Sequence, residues 1–110
     1  MNVYKKTFFS ITIFSFFVAF GAQADDLTLK ISPKNPAPGQ QFNVEAVTFE
    51  LERDRAQFRW FLDGKQVSSG VGNMVQSFSM GPLGSTMAIR VVVTSQRGQS
   101  LEKQTTLTSN

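Results

Sequence analysis

The chain contains no cysteine and no histidine. Without cysteine there is no disulfide framework, so a small domain must be held by apolar burial and strand pairing alone. The two absences together remove the commonest general base, the thiol nucleophile and the serine triad in its usual form. Tyrosine and tryptophan occur once each, as Tyr4 and Trp60. After residue 25 there is no long apolar run, no block of like charge and no apolar spacing of helical period.

The one long apolar run lies at the start. Lys5 and Lys6 precede Phe8 to Ala22, and the run closes on Ala22-Gln23-Ala24 ahead of Asp25 and Asp26. A basic start, a short apolar core and small residues two apart predict a signal peptide over residues 1–24, cut between Ala24 and Asp25. The run is shorter than the roughly 20 residues that span a bilayer, so no stable membrane insertion is expected once the leader is removed. No cysteine follows the small residues, which excludes lipid attachment by the bacterial lipoprotein route. Residues 25–110 are then expected as one secreted or periplasmic domain.

The pI near 9.6 is partly a property of the leader. Removing Lys5 and Lys6 leaves nine basic against eight acidic residues, a net charge of +1. That balance carries no footprint for nucleic acid or an anionic membrane. The densest charge cluster, Glu50, Glu52, Arg53, Asp54 and Arg55, mixes signs.

What remains is alternation. Leu27, Leu29 and Ile31 share one face, and Ser32 to Gly39, with three prolines, forms an extended or turned connector. A second strand is expected from Gln41 to Phe49, with Phe42, Val44 and Ala46 in phase. Phe58, Trp60 and Leu62 alternate with Gln57, Arg59 and Phe61 up to Asp63-Gly64, the strongest short-range hairpin signal. Lys65 to Val67 is the expected short return, with Gly70, Gly72 and Asn73 as a flexible corner. Met74 to Met80 is a further strand, Thr86 to Ser95 a central one, and Leu101 to Leu107 alternates to the end. Seven short strands with turn residues between them predict an all-β, seven-stranded antiparallel sandwich.

At Trp60 this pattern meets a family. Ile31-Ser32-Pro33, Asn35-Pro36-Ala37-Pro38-Gly39, the run Phe58-Arg59-Trp60-Phe61-Leu62-Asp63-Gly64-Lys65 and the late strand with its Gly98 turn resemble bacterial exported immunoglobulin-like domains. The likeness is greatest to those related to the polycystic kidney disease repeat. The resemblance covers nearly all of residues 25–110 and implies an immunoglobulin-like sandwich with Trp60 in the core of the third strand. The inter-sheet disulfide and the tyrosine corner of antibody domains are both missing, since there is no cysteine and Tyr4 lies in the leader. Such domains serve as spacers, adhesive modules and carbohydrate or protein binders, so the resemblance speaks for the fold and little for function.

Catalysis has little to draw on. Ser68 and Ser69 stand near Lys65 and Asp63, but serine is common at turns for hydrogen-bonding reasons alone, and no enzyme is expected. Glu50, Glu52 and Asp54 alternate as a hard cation would require, yet Arg53 and Arg55 neutralise them, and a solvated, self-paired loop is the expectation. Met74, Met80 and Met87 are read as core filling rather than soft-metal ligands. No cofactor or metal is expected.

The reading left is partner binding through loops at the sheet ends. Arg53, Arg55 and Arg59, with Phe61 nearby, make a candidate rim of guanidinium and aromatic groups for a carboxylate or a sugar face, beside Glu50, Glu52 and Asp54. Phe61 is out of phase with Trp60, so it either points away from the core or is buried under the short strand from Lys65 to Ser68. The expected partner is a protein or glycan at the cell envelope. The alternative is an assembly role in which Gln99 to Thr108 pairs edge to edge with a larger envelope protein, interrupted by proline at Thr105.

Overall fold

The computed structural model describes residues 26–110, so the expected leader and its cut lie outside the described residues. Seven strands follow in order: β1 (Leu27–Ser32), β2 (Gln41–Thr48), β3 (Gln57–Leu62), β4 (Lys65–Val71), β5 (Val75–Ser79), β6 (Thr86–Thr94) and β7 (Ser100–Thr108). Among the described residues no helix is long and apolar enough to cross a membrane. The strands form two antiparallel sheets, ordered β1-β2-β5 and β4-β3-β6-β7.

Alternation decides which side of each strand faces inward. Leu27, Phe42, Val44, Ala46 and Phe78 from the first sheet meet Phe58, Trp60, Met87, Ile89, Val91 and Val93 from the second in one core. The result is a sandwich-like all-β fold in which each sheet keeps an outer face toward solvent. Trp60 is fully buried, and its Nε1 donates to the Asn73 carbonyl at 2.8 Å, so the one polar atom of the ring is satisfied. Phe78 lies edge-on to Trp60 at 6.2 Å and stacks with Phe42 at 5.8 Å, joining the two sheets through aromatic contacts.

The Asp63-Gly64 turn forms as its sequence predicts. Asp63 and Gly64 have φ of 50° and 85°, the pair of positive values a type I′ turn needs. Asp63 also holds the turn to β6: its N–H donates to the Ala88 carbonyl at 2.8 Å and its Oδ1 accepts from the Ala88 N–H at 2.9 Å.

Several boundaries shift by a residue from the sequence expectation, and the ends of β2 and β4 show why. β2 ends at Thr48, because Thr48 Oγ1 accepts the Glu50 N–H at 3.2 Å and turns the chain outward at Phe49. β4 runs on to Val71, so Gly70 sits inside a strand and not in a flexible corner. The pairing jumps from Trp60↔Ser68 to Phe61↔Gln66, leaving Val67 as a bulge that apolar phase alone does not reveal.

Candidate functional site

One end of the sandwich gathers the charged loop between β2 and β3 and the turn between β6 and β7. Each is braced from beneath. In the β2–β3 loop, Leu51 and Ala56 are buried, and Ala56 accepts the Gly72 N–H at 2.9 Å. Gly72 has φ of +74° and passes so close that an added Cβ would lie 3.2 Å from the Asp54 carbonyl. Arg53 Nη1 donates to the Ala46 carbonyl at 2.9 Å and to Glu45 Oε2 at 3.1 Å, which ties the loop to the end of β2. The opposite turn is held by Ser95, whose Oγ accepts the N–H groups of Arg97 and Gln99 at 3.2 and 3.1 Å. A residue whose side-chain oxygen replaces a backbone acceptor in this way fixes a short turn without regular structure.

Between these loops lies an open cleft of about 380 Å³, lined by Glu50, Leu51, Glu52 and Arg55 on one side and Ser95, Gln96, Arg97 and Gln99 on the other. Two carboxylates, two guanidinium groups and two amides line one concavity, which suits a ligand rich in hydrogen-bonding groups of both kinds. Phe49, one residue from this lining, is 94% exposed. A bare aromatic ring at the end of a sandwich offers an apolar face to a partner beside those polar groups.

The sequence-predicted site residues are distributed over three places. Glu50, Glu52 and Arg55 line the cleft. Glu52 and Arg55 pair at 3.7 Å, both largely exposed, which is a weak and easily exchanged contact. Asp54 is exposed on the same loop. Arg53 is held against β2 and takes no part in the lining. Arg59 and Phe61 sit on the outer face of β3, because their phase is opposite to that of Trp60. Phe61 points away from the core and lies half-buried beneath Arg90, whose guanidinium is 4.0 Å from the ring centre and 3.3 Å from Glu102. Among the described residues no three acidic groups converge as a metal site would need.

Sequence phase alone misses Gln96, Arg97 and Gln99, since they read as ordinary turn residues. The available signal is positional: a turn between two strands of one sheet lies at the same end as the loop entering that sheet from the other. Glu50 also has a neighbour no local pattern indicates. A hydrogen bond with the Asp26 carboxyl, then the repulsion of that carboxylate, then slight desolvation hold the Glu50 carboxyl above its ordinary value. Compared with known proteins, the chain matches no family model and no curated protein sequence.

Proposed function

We propose that the protein is an exported, non-enzymatic immunoglobulin-like module that binds a protein or glycan partner at the cell envelope through the cleft between its β2–β3 and β6–β7 loops. The observation that carries the reading is the convergence of two braced loops on one concavity with mixed charge, amides and an exposed aromatic. A prearranged polar surface loses little conformational freedom on binding, which is where affinity is otherwise lost. The order β1-β2-β5 against β4-β3-β6-β7, with Trp60 inside the third strand, supports the immunoglobulin-like assignment. Export rests on the leader pattern of residues 1–24. The lack of histidine and cysteine supports a binding role over a catalytic one.

The test is capture from an envelope fraction by residues 25–110, compared with the double variant Arg55→Ala, Arg97→Ala. Both side chains line the cleft, and neither is held in the interior. A partner kept by the parent and lost by the variant supports cleft recognition. Equal retention by both overturns it.

A further inference from the structure

The free edge of β7 has a hydrogen-bonding pattern that can be read residue by residue. At one end of the β6–β7 ladder the Ser95 N–H donates to Gln99 at 2.7 Å, and at the other the Ser109 N–H donates to Ser85 at 2.8 Å. Both pairs continue the register that sets Val93 against Leu101 and Met87 against Leu107. Bonded and non-bonded pairs alternate along an antiparallel ladder. The backbone groups of Leu101, Lys103, Thr105 and Leu107 therefore face β6, and those of Ser100, Glu102, Gln104, Thr106 and Thr108 face outward. Among the described residues no strand pairs with that outward side.

The other edge strands are blunted. β4 carries the bulge at Val67, β1 runs into Pro33, and β5 has five residues. β7 has nine residues in unbroken register, with no proline. Such an edge is a template for another strand.

We infer that the occupant is a second copy of this chain, with β7 pairing antiparallel to β7 about a two-fold axis through Gln104. Facing residues in an antiparallel pair lie on the same side of the sheet, so the axis must pass through a residue and not between two. An axis through Glu102 sets Glu102 against itself, and one through Lys103 sets Lys103 against itself; both are repulsive. The axis through Gln104 overlaps all nine residues. It sets Leu101 against Leu107 of the second copy on the core side, Lys103 against Thr105, and Glu102 against Thr106. The outward groups then form about ten inter-copy backbone hydrogen bonds. Glu102 and Lys103 thus disfavour the two registers centred on themselves. Antiparallel pairing places the two loop-end clefts at opposite ends of the dimer.

Sedimentation of residues 25–110 from micromolar to millimolar concentration tests the pairing, together with hydrogen exchange at the Gln104 and Thr106 amides. The expected result is a reversible dimer in which those two amides become protected as concentration rises. Gln104→Pro removes an outward donor, spares the bonds to β6, and abolishes the dimer. Gln104→Glu gains Arg90 as its cross-strand neighbour within each copy, opposes its own copy at the axis, and weakens the dimer about fivefold or more. A monomer throughout, or a dimer unmoved by Gln104→Glu, overturns the proposal, including the case in which a strand of a different protein takes that edge.

Discussion

Arg53 and Arg55 are two positions apart and have different surroundings. Arg53 satisfies the Ala46 carbonyl and reaches Glu45 from a partly buried position, whereas Arg55, among the described residues, reaches Glu52 at 3.7 Å from solvent. Arg53→Ala leaves a shielded acceptor with fewer partners and is expected to cost about 1 kcal/mol after allowance for its exposed part. Arg55→Ala is expected to stay within about 0.5 kcal/mol of the parent. Urea unfolding of both variants checks the pair; equal costs would mean that Arg53 is not an anchor. Glu50 gives a pH-dependent case. Folded Glu50 keeps its proton to higher pH than in the unfolded chain, so the folded state gains from acid and loses that advantage as pH rises through the raised value. Glu50→Gln is therefore expected to raise the melting temperature at neutral pH, with the gain vanishing on the acid side of the carboxylate range. A gain independent of pH would contradict the Asp26 contact.

At the scale of elements, the strands were legible wherever one face is buried. β3 and β6 show this best: Phe58 and Trp60, and Met87 through Val93, repeat every second residue because each packs on the facing sheet. Turns were legible where backbone sterics allow few residues, as at Asp63-Gly64. The length of β4 was not, because its polar residues and glycine carry no apolar phase and it is held by pairing with β3. Nor was the Arg90 contact over Phe61, which joins residues distant in sequence through register. The candidate site was half visible: the β2–β3 charges stood out by composition, while the β6–β7 turn opposite them has no distinctive chemistry. Hydrogen-bond phase along β7 was also hidden. Proline at Thr105 faces β6, so it is expected to lower the melting temperature of a monomer, whereas proline at Gln104 affects mainly the free edge. Gly72 links elements as well. Its φ of +74° and its approach to the Asp54 carbonyl predict that Gly72→Ala costs about 1–2 kcal/mol and loosens the β2–β3 loop, measured by melting and by exchange at the Arg55 amide.

For the molecule as a whole, one core without disulfides holds two sheets whose outer faces remain wet. Trp60 is central to it, with full burial, a satisfied Nε1 and an aromatic contact across the sheets. Trp60→Ala is expected to cost about 3–5 kcal/mol, a large share of the stability of a domain this size, and to unfold much of the chain at room temperature. Circular dichroism of the variant checks it; a melting temperature near the parent's would contradict the account of the core. Leu51 and Ala56 tie the β2–β3 loop into that core, while Glu50, Glu52 and Arg55 stay at the surface, where the proposed binding site lies. The most direct measurement is amide chemical-shift mapping on residues 25–110 while glycan and protein fractions of the cell envelope are added separately. The expected shifts are confined to Phe49–Arg55 and Ser95–Gln99. Shifts centred on Arg59, Phe61 and Arg90, or no shifts with either fraction, would contradict the proposed site.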